Sequence, residues 1–306
     1  MLRNYFTGFC LLLSICSCQK SKHFVLPENN DYLIEFDEFE KLLGYENIKI
    51  IDFRKPEEYT TDHIVGAINI WRPEIRSESY PYSGMMASRE EVQSLFREKG
   101  IRNDDVLIVY DDKGLCDAAR LWWILQIYDH HQIQMLNGSY STWKTSHEVT
   151  SEVSEITPSH FSFQNKPSHT LHISKDEVQK VSGHKLILDT RTDDEYTGKR
   201  QKKGSYKAGH IPNAIQIDWA NAINYHGDKK FKSTEELKEI YKEVLAYSDD
   251  TVITYCQSGT RSAHTTFVLT QLLGMKNVKN YDGSWIEWSY FNDLPFEKDS
   301  ITTIFE

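Results

Sequence analysis

Cys256 and Arg261 are the two residues of this chain whose types and spacing point most directly to chemistry. Between them lie four residues, Gln257-Ser258-Gly259-Thr260, and an apolar, β-rich run comes before them. A cysteine that follows a strand and precedes a helix lies among unpaired backbone N–H groups at the positive end of a helix dipole, which favours the thiolate. Gly259 permits the tight backbone path that such a loop needs, and Arg261 adds a fixed cation. We therefore predict a nucleophilic Cys256 in a loop that binds an anion.

The length of this loop distinguishes two chemistries that both use a cysteine nucleophile. Cys-dependent phosphatases have one residue more between their cysteine and arginine, and their wider cradle fits a tetrahedral phosphate. The four-residue spacing between Cys256 and Arg261 makes a smaller ring, which suits the terminal sulfur of a persulfide. Sulfur transfer is therefore favoured. A phosphatase or an arsenate reductase stays open as an alternative, because the difference is a single residue.

The elements that must position this loop occur twice in the chain. Residues 88–143 align with residues 233–288 at a constant offset and without a gap, and 14 of the 56 positions are identical. Each copy begins with a Ser-x-x-Glu capping box and an amphipathic helix, followed by an apolar strand, a Gly-containing turn and a second helix. The predicted strands and second helices are Val106–Tyr110, Thr251–Tyr255, Ala118–Ile127 and Ser262–Leu273. This alternation predicts an α/β fold with a parallel, helix-flanked sheet in each copy.

Length and charge agree with two globular domains and exclude some classes of partner. The 306 residues are divided into an N-terminal domain at 31–145, a Ser-, Thr- and Glu-rich linker at 146–168 and a C-terminal domain at 169–298. A net charge of −10 argues against a nucleic-acid partner. No spacing of His, Cys and Asp resembles a metal site.

The first 18 residues are typical of an export signal. One early basic residue precedes a mostly apolar run from Phe6 to Ile15, which is too short to span a membrane. The run ends in Ile15-Cys16-Ser17-Cys18, which resembles a bacterial lipobox. We therefore expect Cys18 to be lipid-modified and the protein to be an exported lipoprotein of the bacterial cell envelope, attached to the membrane only through that anchor. A plain signal peptide is the alternative, and a cut before Cys16 is disfavoured by the bulk of Ile15.

The spaced motifs of both copies resemble those of the tandem rhodaneses, the thiosulfate and 3-mercaptopyruvate sulfurtransferases. The residues that carry the resemblance are Asp189-Thr190-Arg191, Glu195-Tyr196, Gly209-His210-Ile211-Pro212-Asn213-Ala214, Cys256–Arg261 and Asp282-Gly283-Ser284-Trp285. The resemblance covers roughly residues 31 to 296 and implies two tandem rhodanese-like domains. No single motif among these is specific, but the spaced set is.

The resemblance implies a ping-pong reaction through a covalent persulfide on Cys256. A small anionic sulfur donor gives its sulfane sulfur to Cys256, and cyanide or another thiol then accepts it. The resemblance implies no metal and no organic cofactor. It assigns Arg191 to the anionic end of the donor, with an exposed surface arginine or a structural ion pair as the alternative. It assigns the loop residues that follow the cysteine to substrate binding: Gln257, Ser258, Gly259, Thr260 and Arg261.

The N-terminal copy of the loop is predicted to be inactive. At the repeat offset, Asp111 stands where Cys256 stands, and a carboxylate can neither carry sulfane sulfur nor attract an anionic donor. Cys116 occupies the position of Arg261. The resemblance allows the two loops to approach each other, which would place Cys116 near Cys256, although an unpaired thiol without a role is the simpler interpretation.

Two features bear on the substrate without deciding it. Gln257-Ser258-Gly259 partly resembles the loop of mercaptopyruvate enzymes, whereas thiosulfate enzymes tend to have basic residues there. An insertion at residues 199–207 carries five positive charges, which would steer anionic donors or form an ordinary solvated loop. A sulfur-carrier lipoprotein with little turnover is the third hypothesis.

Overall fold

Two similar α/β domains follow one another along the chain. The computed structural model of the protein describes residues 22–27 and 31–299, and the backbone of 303–304. The elements of the first domain are β1 Leu33–Ile34, α1 Phe36–Leu42, β2 Ile48–Asp52, α2 Pro56–Thr61, β3 His63–Ile64, β4 Ile68–Asn69, α3 Arg89–Glu98, β5 Val106–Tyr110, α4 Cys116–Ile127, β6 Ile133–Leu136, α5 Tyr140–Trp143 and β7 Val149–Thr150.

The second domain repeats this succession with small differences. Its elements are β8 His172–Ile173, α6 Lys175–Val181, β9 Leu186–Asp189, α7 Asp193–Tyr196, β10 Arg200–Gln201, β11 Ile215–Gln216, α8 Thr234–Ile240, α9 Lys242–Leu245, β12 Val252–Tyr255, α10 Thr260–Phe267, β13 Val278–Tyr281, α11 Ser284–Tyr290 and β14 Thr303–Ile304. Each domain also has a short 3₁₀ turn, Arg72–Ile75 in the first and Trp219–Ala222 in the second.

Each domain is built on a five-stranded sheet with the same strand order. The order is β1-β6-β5-β2-β4 in the first domain and β8-β13-β12-β9-β11 in the second, and all neighbouring strands in these two sheets are parallel. The central strands β5 and β12 are buried along their whole length, as expected for a parallel sheet covered on both faces. The predicted fold class, α/β with two tandem domains, is confirmed.

The predicted helix starts are confirmed by their caps. The hydroxyls of Ser88 and Ser233 each accept a hydrogen bond from the backbone three residues on, which opens α3 and α8. The predicted helix after β5 is α4, which begins two residues earlier than its sequence pattern indicates, at Cys116. The predicted helix after β12 is α10, which continues as a π-helical turn over Val268–Leu272.

The two domains share a hydrophobic interface that places the two loops near each other. Helices α4 and α10 pack together, and the ring of Trp122 meets the ring of Phe267 edge to face with centroids 4.9 Å apart. Phe161 and Phe163, from the segment between the domains, are also buried in this core. Among the described helices, none has the length and apolar character needed to cross a membrane.

Candidate active site

The loop of the predicted nucleophile, residues 256–261, which we call the catalytic loop, begins where the central strand β12 ends and runs into the first turn of α10. The side chain of Cys256 is fully buried. The backbone of Gly259 has a φ of 73°, in the left-handed region, immediately before α10 begins. A Cβ atom on Gly259 would lie 2.6 Å from Nη1 of Arg120 and 2.7 Å from the carbonyl oxygen of Asp282. Glycine is therefore required here both by the turn and by the close packing around it.

Ser284 holds the two ends of this loop together. Its hydroxyl accepts hydrogen bonds from the backbone N–H of Cys256 at 3.1 Å and from that of Gly259 at 3.0 Å, and donates to the carbonyl of Tyr281 at 2.8 Å. The start of α11 adds two further bonds, because the N–H groups of Trp285 and Ile286 donate to loop carbonyls. The loop is thus held in one ring-like conformation before any substrate binds.

The environment of Cys256 favours its thiolate. Burial alone raises the pKa of the Cys256 thiol, but the positive charge of Arg261 opposes it. The hydroxyl and the backbone N–H of Ser262 and the backbone N–H of Ser258 act in the same direction as Arg261, and the net effect is a lowered pKa. Cys256 therefore has the properties of a nucleophile rather than of an inert core cysteine.

Arg261 is fixed by a bidentate ion pair with Glu195. Its two terminal nitrogens donate to the two carboxylate oxygens at 2.6 and 2.9 Å, and the side chain of Glu195 is only 1% exposed. Burial tends to raise the pKa of Glu195, but the hydrogen bonds and charge of Arg261 lower it to about 2. Arg261 is therefore a rigidly held cation beside the sulfur of Cys256.

Arg191 lies in the core, which favours the alternative of a structural ion pair over the expected contact with a donor anion. Its Nε and Nη2 donate to the carboxylate of Asp189, and Nη2 also donates to the carbonyl of Gly209 at 2.8 Å. The residue is 1% exposed and packs against the rings of Tyr255 and Trp285. These are the contacts of a structural ion pair, because the guanidinium links its own segment to those of Gly209, Tyr255 and Trp285.

A cavity of about 320 Å³ opens onto the catalytic loop at the domain interface. Four of the five loop residues predicted to bind substrate line it, namely Gln257, Ser258, Thr260 and Arg261, whereas Gly259 does not. Cys116 of the first domain also lines it, so the expected approach of the two loops is confirmed. The pKa of the Cys116 thiol is well above its ordinary value because of burial and the neighbouring charge of Asp117. Cys116 is therefore a protonated thiol that lines the same cavity as the activated Cys256.

The rest of this cavity is strongly cationic. Besides Arg261, its lining includes Arg72, Arg76 and Lys113 from the first domain and Lys202 and Lys203 from the insertion at 199–207. No Asp or Glu belongs to that lining. The cavity can therefore attract and hold a small anion next to the Cys256 thiolate.

The equivalent loop of the first domain, residues 111–116, is called the silent loop here because it has Asp111 at the position of Cys256, and it shows how this backbone conformation binds a carboxylate. One carboxylate oxygen of Asp111 accepts from the N–H groups of Lys113 and Leu115, and the other accepts from those of Asp117 and Ala118, at 2.8–3.1 Å. At the repeat offset, three of these donors correspond to Ser258, Thr260 and Ser262. The carboxylate of Asp111 therefore occupies the anion cradle of its own loop.

Comparison with known proteins identifies the two domains. A family model described as "Rhodanese-like domain" matches residues 35–146 and again residues 173–290. A protein of Saccharopolyspora erythraea named "Putative thiosulfate sulfurtransferase" is 36% identical over 247 residues, which is 78% of this chain and 86% of that protein. This chain belongs to the rhodanese family.

Solved structures show the same tandem rhodanese fold. The Tum1 protein of Saccharomyces cerevisiae matches with a TM-score of 0.77 at 20% identity, over 87% of this chain and 98% of that one. SseA of Escherichia coli, described as a 3-mercaptopyruvate sulfotransferase with the rhodanese fold, matches with a TM-score of 0.72 at 24% identity, over 83% of this chain and 98% of that one. At these identities the likeness establishes the fold of this rhodanese and nothing finer.

The roles of two residues in this rhodanese domain were missed by sequence reasoning. Glu195 and Ser284 belong to motifs that carry the family resemblance, yet neither motif revealed that one anchors Arg261 and the other closes the loop. Both contacts join segments far apart in the chain, and spacing within a motif does not report them. Cys18 lies outside the described residues. Within the described ranges, no three His, Cys, Asp or Glu side chains converge as a metal site.

The change Asp111→Asn in the silent loop is expected to leave turnover nearly unchanged but to lower the free energy of unfolding. The amide nitrogen would face two backbone N–H donors that now bond to a carboxylate oxygen, so these buried donors would lose their acceptor. We expect a loss of about 1–3 kcal/mol in the free energy of unfolding. Urea unfolding followed by tryptophan fluorescence measures this loss, and turnover of the folded variant should stay within about twofold of wild type. A silent loop that takes part in the reaction would instead show itself as lost turnover at unchanged stability.

Proposed function

We propose that the protein is a sulfurtransferase that carries sulfane sulfur as a persulfide on Cys256. The Cys256 thiolate attacks the outer sulfur of the donor, the donor's bond to that sulfur breaks, and the leaving group departs with the electron pair. Thiosulfate loses sulfite in this step. 3-Mercaptopyruvate loses the enolate of pyruvate, which takes up the proton of the donor's own thiol, directly or through water, to give pyruvate. An acceptor, cyanide or a thiolate, then attacks the outer sulfur and returns Cys256 to its thiolate form. Every electron pair is supplied by donor, acceptor or Cys256, so the cycle balances without a further reactant.

The observation that carries this proposal is the match between the two loops. In the silent loop, backbone N–H groups of residues 113, 115 and 117 bind the negative charge of Asp111. In the catalytic loop, N–H groups at the equivalent positions 258 and 262 lower the pKa of the Cys256 thiol. The same cradle thus faces a nucleophile that can accept a sulfur atom, and the family membership of the chain and the names of its relatives support sulfur transfer.

The test is a measurement of donor and acceptor on the purified protein. Incubation with thiosulfate or 3-mercaptopyruvate should add about 32 Da, one sulfur, to the intact mass, and cyanide should then remove it as thiocyanate. An unchanged mass with both donors would contradict the proposal. A persulfide that forms but does not turn over with cyanide or thiols would instead point to a sulfur carrier. Release of phosphate from an aryl phosphate would point to the phosphatase alternative.

We also propose that Cys18 carries a lipid that attaches the mature protein to a bacterial envelope membrane. The support is the sequence of the first 18 residues alone, whose apolar run ends in Ile15-Cys16-Ser17-Cys18. Expressed in a bacterium fed a labelled fatty acid, the wild-type protein should become labelled and sediment with membranes. Cys18→Ser should lose the label, whereas Cys16→Ser should keep it. Equal labelling of the wild type and the Cys18→Ser variant would exclude this attachment point.

A further inference from the structure

Each domain covers the loop of the other domain with an equivalent segment. We call residues 72–86 the strap. It begins with a 3₁₀ turn, and Arg76 and Met86 then form an isolated antiparallel bridge. Gly84 of the strap lies so close to the catalytic loop that a Cβ atom there would be 2.6 Å from Cβ of Ser258. The strap of the silent domain is therefore part of the wall of the active site.

The second domain has the corresponding segment, residues 219–231, over the silent loop, and we call it the second strap. It too begins with a 3₁₀ turn, and Ile223 and Phe231 form the isolated antiparallel bridge. Ile223 and Tyr225 approach Gly114 of the silent loop, since a Cβ atom there would lie 3.0 Å from Cγ1 of Ile223. Each strap thus lies over the loop of the opposite domain, and the two straps can be compared position by position.

Arg76 and Ile223 are the equivalent positions at which the straps differ in chemistry. Each is the first residue after its 3₁₀ turn and the first partner of its bridge. Over the silent loop, Ile223 is only 3% exposed and closes the space with an aliphatic side chain. Over the catalytic loop, Arg76 lines the cavity that contains Cys256. At this position of the strap, the loop with a cysteine therefore faces a guanidinium and the loop without one faces an aliphatic side chain.

The guanidinium of Arg76 has no anionic partner among the described residues. The other two arginines of the cavity are paired, Arg72 with Asp117 and Arg261 with Glu195. Partial burial and the charges of Arg72 and Arg120 lower the pKa of Arg76 to about 10, and Asp117 and Glu78 offset this only in part. Neither carboxylate forms an ion pair with it. A half-buried cation among like charges is costly unless an anion joins it.

We propose that Arg76, which belongs to the silent domain, binds the anionic group of the sulfur donor while Cys256 attacks its sulfane sulfur. The inference rests on the proposed function. The planar guanidinium can bind two oxygens of a sulfonate or a carboxylate at once, which fixes the direction of the donor as well as its charge. Lys113, Lys202 and Lys203 are exposed at the same cavity, and their role is to raise the local concentration of anions.

Steady-state kinetics with thiosulfate and cyanide test this assignment. Arg76→Gln should raise the KM for thiosulfate about 10- to 100-fold, because a charge-assisted bidentate contact is lost, with a smaller change in kcat. Arg76→Lys keeps the charge and should recover part of the loss. Lys203→Gln removes a general cation of the same cavity and should raise the KM by less than about threefold, whereas Lys180→Gln removes the same charge from the exposed side of α6, outside the cavity, and is the matched control, with an expected change within twofold. A KM for Arg76→Gln within twofold of wild type, or equal to that of Lys203→Gln, would overturn the proposal.

A second measurement separates this inference from the proposed function. Iodoacetate and iodoacetamide alkylate the same thiolate, but only iodoacetate carries an anionic group. The ratio of the two alkylation rates at Cys256 (iodoacetate to iodoacetamide), read from the mass of its peptide, should fall at least about fivefold in Arg76→Gln and stay near wild type in Lys180→Gln. The ratio needs no sulfur transfer, so it judges Arg76 even if thiosulfate is not turned over. An unchanged ratio, in a variant whose melting temperature matches wild type, would exclude Arg76 as an anion-binding residue.

Discussion

Cys256→Ser is expected to abolish sulfur transfer, with turnover falling by roughly 10⁴-fold or more. A serine hydroxyl at this position has almost the same size, so the buried side chain should fit without disturbing the loop. Its pKa is far too high for ionisation near neutral pH, and oxygen cannot form a persulfide. Intact mass after incubation with thiosulfate should therefore show no added sulfur, and no thiocyanate should appear with cyanide.

Cys116→Ser is the matched control for this prediction, because both cysteines line the same cavity. The Cys116 thiol has its pKa raised by burial, so it is neutral where Cys256 is activated. Cys116→Ser should therefore keep both the sulfur adduct and turnover within about twofold. If the adduct persists in Cys256→Ser and disappears in Cys116→Ser, the assignment of the nucleophile is wrong.

Arg261→Gln is expected to impair both reactivity and stability. The variant would lose the cation that most strongly lowers the pKa of Cys256, and it would leave Glu195 buried without its bidentate partner. Removing one member of a buried ion pair costs about 3–5 kcal/mol in the free energy of unfolding. The rate of Cys256 alkylation by iodoacetamide should also reach its midpoint at a higher pH than in the wild type, because the thiolate is less stabilised.

The double variant Glu195→Gln/Arg261→Gln separates these two effects. Two amides can form a neutral hydrogen bond in place of the ion pair, so stability should return most of the way to wild type. The thiolate still lacks its cation, so the alkylation midpoint should remain shifted to higher pH. A double variant that regains both stability and the wild-type midpoint would show that Arg261 acts only by holding the fold.

The stability deficit of Arg261→Gln should depend on pH with a definite sign. In the wild type, Arg261 lowers the pKa of Glu195 from 4.5 to about 2, so its carboxylate stabilises the fold above pH 4.5 and this contribution is lost as the pH falls toward 2. In the variant the strongest opposition to burial is lost, although Arg191, Arg200 and Lys202 still favour the carboxylate, so the pKa of Glu195 rises and its charged form stabilises the fold less. The deficit measured by urea unfolding should therefore be large at pH 7 and smaller at pH 4. An equal deficit at both pH values would show that the lost charge pair is not its cause.

Local patterns in the sequence predict the secondary structure around the site closely. The strand at Val106–Tyr110 has the same bounds in the structure, and its counterpart differs by one residue. The capping boxes at Ser88 and Ser233 open helices as predicted. These features depend on contacts between residues a few positions apart, and such contacts are readable from spacing.

Arg191 shows the limit of prediction from local sequence patterns. The motif Asp189-Thr190-Arg191 places an arginine after a central strand, and a sequence pattern does not say whether its side chain turns outward or inward. The structure turns it inward onto Asp189 and Gly209. Glu195, four residues later, turns toward Arg261 instead. Which of two neighbouring charged residues reaches the site depends on the packing of distant segments.

The sequence by itself determined the tandem α/β architecture, and it predicts a nucleophile in the loop from Cys256 to Arg261 and none at the equivalent Asp111. Each of these follows from residue type and local spacing, compared between two copies of one domain. Only the tertiary structure decided which side chains surround the sulfur. Ser284, Glu195 and Arg76 come from separate segments, and Arg76 comes from the other domain. Contacts of that kind depend on how helices α4 and α10 pack across the interface, and no pattern within either copy contains that information.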